Sequence, residues 1–282
     1  MIESAYERGN RLRGEGKFEE AHRAYIAALE EDKNDTHAWC NIGLLYATVN
    51  QNEKAEKCFK TALAIDSDDC YVWHTWASFL SAENRYVEAD EAFQRAVVLD
   101  PDNAELWAAI GNLHVKNNWE HARGAFEKAI QLDPDTPRVW TLYAIGLLQN
   151  KMLNEAEQMF RKSLEMDRDQ TEAWVLLGKT LVELGRLREA IEAHYEAVRL
   201  WPNNFDVWND LARLHFQAGV LPKAVDAMKM ALKIRPEYAT GWQVLAEMYE
   251  DMGMFEEMNI TLTKLERLMR ENPNMYHDDF VS

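Results

Sequence analysis

Large aromatic residues and small apolar residues recur along this chain with a period of about 34 residues. Seven of the ten tryptophans follow that period, namely Trp39, Trp73, Trp107, Trp140, Trp174, Trp208 and Trp242. The fourth residue after each of them is small, at Gly43, Ala77, Gly111, Ala144, Gly178, Ala212 and Ala246. A fixed period of roughly 20–50 residues is typical of a stacked repeat array.

The second half of each period carries a column of bulky residues between two columns of small ones. The bulky column contains Tyr25, Phe59, Phe93, Phe126, Phe160, His194 and Met228. Alanine precedes each by four residues, and alanine or serine follows each by three. Such spacings place residues on one face of an α-helix. The pattern therefore predicts pairs of antiparallel helices, in which small residues permit a close approach and a large side chain fills the space beside them.

Glycine and asparagine form a further column between the two predicted helices of each pair. The column contains Gly16, Asn50, Asn84, Asn118, Gly185, Gly219 and Gly253, and both residue types tolerate a left-handed backbone. The fourth period is one residue short, since eleven steps separate Gly111 from Ala122 where twelve separate Gly43 from Ala55. We expect an altered turn around residues 116–119, because loops absorb deletions more easily than packed helices.

These columns resemble the tetratricopeptide repeat. Trp39-x-x-Ile42-Gly43-x-x-Tyr46 followed by Ala55-x-x-x-Phe59 matches its pattern, and so does Trp174-x-x-Leu177-Gly178 followed by Ala190 and Pro202. Eight units cover the chain, at 2–35, 36–69, 70–103, 104–136, 137–170, 171–204, 205–238 and 239–272, the last being a degenerate cap. The resemblance implies an all-α, right-handed α-solenoid superhelix of eight helix-turn-helix hairpins over residues 2–272, with a C-terminal tail at 273–282.

The net charge of −17 argues against a nucleic-acid-binding surface, which needs clustered Lys and Arg, and against binding to an anionic membrane. It favours basic partners. The three cysteines, Cys40, Cys58 and Cys70, form no CxxC pair and predict reduced thiols. The N-terminus carries no signal-like segment, and the apolar run Val139–Leu148 is too short to cross a bilayer. We therefore expect a cytoplasmic location without membrane insertion.

Catalytic sequence motifs are missing from the chain. It contains no HExxH, GxSxG, GxxxxGK[ST] or GxGxxG segment, so we expect no enzyme activity, cofactor or metal. Acidic loops recur at Asp66-x-Asp68-Asp69, Asp100-x-Asp102, Asp133-x-Asp135 and Asp167-x-Asp169. They lack the EF-hand spacing, and we interpret them as caps at helix N-termini.

In the family that this chain resembles, the first helix of each hairpin lines a concave groove that binds a partner segment. The corresponding candidates for peptide binding are Asn112, Thr141, Ile145, Val175, Lys179, Asn209 and Arg213. The Asn and Thr side chains can form hydrogen bonds, and Ile145 and Val175 offer apolar contacts. Two interpretations of the cations stay open: Lys179 and Arg213 hold a carboxylate of the ligand, or they pair with Asp206, Asp210 or Glu172.

A second candidate groove surface lies near the N-terminus and contains Tyr6, Asn10, His37, Asn41, Tyr71 and His74. Co-chaperones of the resembled family grip acidic peptide tails through asparagines and cations at these positions. Asn10 and Asn41 match the asparagines, but Tyr6, Tyr71 and Thr75 replace the cations. We expect this grip to fail, and we expect Arg8, Arg11 and Arg13 to lie on a solvated outer surface.

The resemblance implies a protein–protein interaction scaffold or adaptor, whose rigid stack receives an extended or helical segment of a partner without first ordering itself. Two alternatives stay open. The array could self-associate through its terminal repeats, for example through the methionine-rich last helix. It could also be the recognition arm of a larger enzyme complex.

Overall fold

The computed structural model describes residues 3–271, and these residues form sixteen α-helices and no strand. The helices are α1 (Ala5–Gly14), α2 (Phe18–Glu31), α3 (Thr36–Thr48), α4 (Asn52–Ile65), α5 (Cys70–Ala82), α6 (Tyr86–Leu99), α7 (Ala104–His114), α8 (Trp119–Leu132), α9 (Pro137–Gln149), α10 (Leu153–Met166), α11 (Thr171–Glu183), α12 (Leu187–Leu200), α13 (Phe205–Gln217), α14 (Leu221–Ile234), α15 (Ala239–Asp251) and α16 (Phe255–Glu271). Consecutive helices pack in pairs, α1 on α2 through to α15 on α16. The prediction of tandem helical hairpins is therefore confirmed.

The chain divides into two compact units, an N-terminal unit that ends at Pro134 and a C-terminal unit that begins at Asp135. Within a unit, the second helix of each hairpin packs on the first helix of the next. The first helices of neighbouring hairpins also touch, α3 on α5 and α5 on α7 in the N-terminal unit and α9 on α11 in the C-terminal unit. A single superhelix over residues 2–272 stays a prediction, and the tail at 273–282 lies outside the described residues.

Small residues on the first helices face the bulky column on the second helices. The bulky side chains are fully buried, with Tyr25, Phe59, Phe126 and Phe160 at 0% exposure. A methyl group placed on Gly111 would lie 2.8 Å from the Phe126 ring, and one on Gly43 would lie 3.0 Å from the Phe59 ring. In these hairpins the helix spacing therefore leaves no room for a side chain opposite the ring, as ridge-and-groove packing requires.

The tryptophans of the periodic column form hydrogen bonds in addition to packing. Six of its indole N–H groups donate to the carbonyl six residues earlier, in the turn that joins one hairpin to the next. The pairs are Trp39–Lys33, Trp73–Ser67, Trp107–Pro101, Trp174–Arg168, Trp208–Pro202 and Trp242–Pro236, with distances of 2.7–3.1 Å. A half-buried indole needs such an acceptor, so each bond fixes the turn that precedes its helix.

The predicted turn column is correct at six positions and wrong at one. Gly16, Asn50, Asn84, Gly185, Gly219 and Gly253 have φ between 57° and 75°. Asn118 instead has a φ of −151°, and its Oδ1 accepts from the His121 N–H as the N-cap of α8. The deletion in this hairpin shortens α7 to 11 residues, against 13 in α5 and α9. Lys151, which the pattern did not predict, takes the left-handed conformation with a φ of 61°.

The acidic loops only partly behave as predicted. Asp69 caps the N-terminus of α5, because its Oδ1 accepts from the N–H groups of Tyr71 and Val72. Asp66 and Asp167 instead stand at the C-terminal ends of α4 and α10, where they accept from backbone N–H groups two residues later. The interpretation as N-terminal caps is wrong for these two, and also for Asp100 and Asp133, which are the C-cap residues of α6 and α8, because the chain has to turn before the next helix begins.

Two glycines of one hairpin allow a matched test of the packing rule. We expect Gly111→Ala to destabilise the protein by roughly 1–3 kcal/mol, because the new methyl group meets the immobile Phe126 ring. A methyl group on Gly124 in α8 meets no atom within 4 Å, so Gly124→Ala should raise stability by up to about 1 kcal/mol through helix propensity.

Chemical denaturation of both variants beside the wild-type chain measures the two effects. Equal changes of the same sign in both variants would mean that the spacing of this hairpin is not set by the ring.

Candidate functional site

In the C-terminal unit, the predicted peptide-binding residues lie on three successive first helices. Ile145 on α9, Val175 on α11 and Asn209 on α13 are half-buried, while Lys179 and Arg213 are exposed. Thr141 differs from these, because it is only 8% exposed and its hydroxyl is hydrogen-bonded to Ser163 and Gln170. A partner would not reach Thr141 without breaking those bonds, so we do not retain it as a contact residue.

Asn112, the remaining member of the predicted set, belongs to the N-terminal unit. It lies on α7 and its side chain is exposed. It is therefore accessible to a partner, and it stays a candidate on its own surface.

A cavity of about 370 Å³ opens between α11, α12 and α13. Its apolar lining is Val182 and Leu214, and its polar lining is Lys179, Glu183, His194, Asp210, Arg213 and Gln217. Two of the predicted peptide-binding residues thus border one concave feature of the C-terminal unit. The cavity has room for the end of a side chain from another protein.

The two cations of this cavity have little internal compensation. Lys179 Nζ is 3.9 Å from Asp210 Oδ2, which is beyond hydrogen-bond distance. Arg213 makes no ion pair or hydrogen bond with any residue from 3 to 271. Of the two cations, only Lys179 pairs locally, through one long contact with Asp210.

Two other cations of the same unit, Arg161 on α10 and Arg186 at the N-cap of α12, behave differently. Arg186 donates to the carboxylates of Glu157 and Glu189, and Arg161 contacts the same two residues. The hydrogen bond from Arg186 lowers the pKa of Glu189. Charges there neutralise one another within the chain, whereas the donors of Lys179 and Arg213 are available to a partner.

The buried side chain of His194 also borders the cavity. His194 is 1% exposed, and its Nδ1 lies 2.8 Å from the carbonyl oxygen of Ala190. Its Nε2 is buried without a hydrogen-bond partner and lies 3.7 Å from Asp210 Oδ2. The sequence marked His194 only as an exception in the bulky column, and only the structure shows that it lines a cavity.

In the N-terminal unit, five of the six predicted groove residues come together around Asn41, which is 1% exposed. Asn41 Nδ2 donates to the Tyr6 hydroxyl and to Asn10 Oδ1, while its Oδ1 accepts from the Tyr71 hydroxyl. The His37 ring lies 4.5 Å from the Tyr71 ring. His74 is separate from this group, and its ring contacts Phe93.

Arg13 supplies a cation that the sequence interpretation did not find there. We expected it on a solvated outer surface, but it is half-buried and its Nη1 donates to Asn41 Oδ1 at 2.9 Å. Asn10 Oδ1 is already occupied by donors from Asn41 and from the hydroxyl of Tyr25, whose pKa burial raises to about 12. The acceptors of this network are used, whereas the guanidinium has donors left over.

Helical hairpins with this tryptophan column define a tetratricopeptide repeat protein, and a tetratricopeptide repeat family model matches residues 175–239. The chain belongs to the family of the Cilia and flagella-associated protein 70 C-terminal domain, whose family model matches residues 3–198. No curated protein sequence matches the chain. This fold supports protein–protein interaction scaffolds in general, and such families are generally not enzymes.

Solved structures show the same fold at low sequence identity. The crystal structure of the APC/C hetero-tetramer Cut9–Hcn1 matches 85% of this chain with a TM-score of 0.66 and 17% identity. This chain spans only 48% of that one. Pseudomonas aeruginosa PilF (77% of this chain and 98% of PilF, TM-score 0.61, 22% identity) and MamA (61% and 94%, TM-score 0.55, 20% identity) are also similar. Identities this low show the fold alone.

Of the helices between residues 3 and 271, none combines the length and the apolar character that crossing a membrane requires.

The Asn41 network allows a test of its structural contribution. We expect Asn41→Ala to lower the free energy of unfolding by about 3 kcal/mol, because buried donors and acceptors on four neighbours lose their partner. Asn52→Ala is the control, since half-buried Asn52 makes one solvent-exposed bond, to Glu83, and should change stability by less than about 0.5 kcal/mol. Urea denaturation of both variants measures the difference, and a similar loss in both would contradict the assignment.

Proposed function

We propose that this chain is an interaction scaffold whose C-terminal unit binds an acidic segment of a partner protein across the first helices α9, α11 and α13. The observation that carries the proposal is a pair of weakly compensated cations on neighbouring repeats: Lys179 has one contact of 3.9 Å with Asp210, and Arg213 has no ion pair among residues 3–271. Charge-assisted hydrogen bonds from Arg to a carboxylate are stronger than neutral ones and are frequently bidentate. Ile145, Val175 and Asn209 would add apolar and polar contacts along the same segment.

The comparisons support an assembly function of this kind. One similar structure is described as a hetero-tetramer, so a chain of this fold takes part in a protein complex there. The matching family is named for an association with cilia and flagella. We propose that the partner is a component of a cilium or flagellum and that the chain binds it on the cytoplasmic side.

A charge reversal tests the acidic-segment proposal. We expect Lys179→Glu combined with Arg213→Glu to weaken partner binding by at least about 100-fold, because two attractive contacts become repulsive. The control is Arg188→Glu combined with Lys233→Glu, which makes the same charge change at two exposed residues of the second helices α12 and α14.

The measurement is affinity purification from ciliated cells with the full chain as bait, followed by quantitative mass spectrometry. Proteins retained by the wild type and by the control variant, but lost from the Lys179/Arg213 variant, are the partners. Identical protein sets from all three chains would reject the site. Circular dichroism of each variant verifies that the helical fold persists.

Arg13 favours a second candidate function, the binding of an acidic chain terminus in the N-terminal unit. The Arg13 guanidinium has no carboxylate partner among residues 3–271, and it stands beside aromatic side chains and asparagines. Arg13 therefore places a cation on the N-terminal surface where the sequence analysis expected none. We propose that the site holds a terminal carboxylate through Arg13, with help from unused donors of Asn10 and Tyr6.

Calorimetric titration with a short peptide that ends in two aspartates and a free carboxylate tests this second site. Arg13→Gln should reduce the affinity about tenfold, since a hydrogen bond to a charged group is lost. Arg8→Gln on the same helix is the control, because Arg8 is exposed and outside the network. If the amidated peptide binds as tightly as the free carboxylate, no terminal carboxylate is recognised and the second candidate is excluded.

A further inference from the structure

The outward side of α6 differs from that of the other second helices. Val87 and Val98 are 75% and 77% exposed, and no other large apolar side chain between residues 3 and 271 is as exposed. In the other hairpins the position of Val87 is occupied by Glu19, Glu53, Glu120, Asn154, Arg188, Pro222 and Glu256. The position of Val98 is occupied by Glu30, Ala64, Gln131, Glu165, Arg199, Lys233 and Arg267. No other hairpin is apolar at both positions, so the fold itself does not require these valines.

The two valines lie in one row along α6, and a cavity opens along this row. They are eleven residues apart, which is about three helical turns or 16 Å, so they face nearly the same direction. The cavity has a volume of about 480 Å³ and lies between α5 and α6. Its apolar lining is Trp73, Trp76, Leu80, Ala92 and Val98, and its polar lining is Glu88, Glu91, Gln94 and Arg95. Together, Val87, Val98 and this lining form the α6 surface.

Two opposite charges of the α6 surface are left without a partner. Glu88 accepts hydrogen bonds from Arg85, and Gln94 donates to Asp90. By contrast, Glu91 and Arg95 are exposed and make no ion pair or hydrogen bond with any of residues 3–271. An acidic residue four positions before a basic one often pairs with it on a helix. Glu91 and Arg95 do not, so both charges are available to a ligand.

The equivalent cavity in the C-terminal unit is completed by the chain itself. It has a volume of about 430 Å³ and is lined by Trp174 of α11 and by residues of α12. There the Arg168 guanidinium lies 5.8 Å from the centre of the Trp174 ring and 3.6 Å from Glu196. At the matching positions the α6 hairpin has Ser67 and Arg95. The charges that pair within the chain beside α12 therefore have no counterpart beside α6.

We infer that the α6 surface binds an amphipathic helix of a partner protein. The apolar stripe of that helix contacts Val87 and Val98 and places one large side chain in the cavity, and a basic and an acidic residue beside the stripe face Glu91 and Arg95. A helix fits because its backbone groups are bonded internally, whereas an extended segment would bury N–H and C=O groups against valines. This surface belongs to the N-terminal unit, so the inference goes beyond the proposed function.

A display library of helical peptides tests this class of ligand. Each peptide has about 18 residues on an alanine and glutamine framework, and the positions of one face are randomised. Peptides are selected on the full wild-type chain, and those that also bind a variant with Val87→Glu and Val98→Glu are removed. Glutamate occupies both positions in α2, so this variant should fold. We expect the surviving peptides to share an apolar stripe at helical spacing, with one acidic and one basic residue beside it.

Charge exchange connects the surviving peptides to Glu91 and Arg95. Arg95→Glu should weaken binding about tenfold, and replacing the acidic residue of the peptide by lysine should restore the affinity. Glu91→Lys should behave in the same way when the basic residue of the peptide is replaced by glutamate. The control chain carries Gln131→Glu and Asn154→Glu, which add the same charge as the valine variant at the same two positions of α8 and α10, where both residues are exposed. It should bind the peptides as the wild type does.

Several results would overturn the inference. These are the absence of any surviving peptide, a consensus without an apolar helical stripe, and loss of binding to the control chain, which would show general charge repulsion. A charge exchange that fails to restore affinity would reject the contact assigned to that residue. Sedimentation of the wild-type chain covers the remaining occupant, because a dimer that the valine variant abolishes would mean that a second copy binds the α6 surface.

Discussion

The contact between a glycine and a large ring sets the helix spacing in four of the eight described hairpins. Gly9 faces Tyr25, Gly43 faces Phe59, Gly111 faces Phe126, and Gly178 faces His194. In each case a single added carbon would meet the ring, so the two helices lie as close as backbone and ring allow. Burial of the ring in turn supplies apolar contacts to both helices, and the repeat cannot be changed at one member of the pair alone.

The same glycine–ring contact explains how a histidine can stand in the bulky column. His194 keeps the flat shape of an aromatic ring, but it has ring nitrogens where phenylalanine has carbon atoms. Packing around the ring is preserved, because Gly178 provides the space that the other glycines provide. A polar ring is therefore accommodated in the column without a change in the packing of the two helices.

Sequence periodicity could predict the hairpins because their packing is local and repeats with the chain. It could not predict what the deletion near Asn118 does, because shortening α7 moves the turn and makes Asn118 an N-cap. It could not place Arg13 either, since a long side chain at a helix end reaches either solvent or a neighbouring helix. Thr141 has groove-facing spacing, but Ser163 of the next helix takes its hydroxyl inward. Such outcomes depend on contacts between helices that a linear pattern does not contain.

An acidic ligand for a chain of net charge −17 needs a physical reason. Physiological salt strongly screens the repulsion between a ligand and carboxylates that lie farther away than about 8 Å. Interactions at hydrogen-bond distance are screened much less, so their strength depends on the few charges that border the ligand. Arg161 on α10 and Arg186 at the N-cap of α12 pair with Glu157 and Glu189, whereas Lys179 has one contact of 3.9 Å with Asp210 and Arg213 has no ion pair among residues 3–271. The net charge of −17 is therefore compatible with the proposed acidic ligand, because local pairing decides which cations are available.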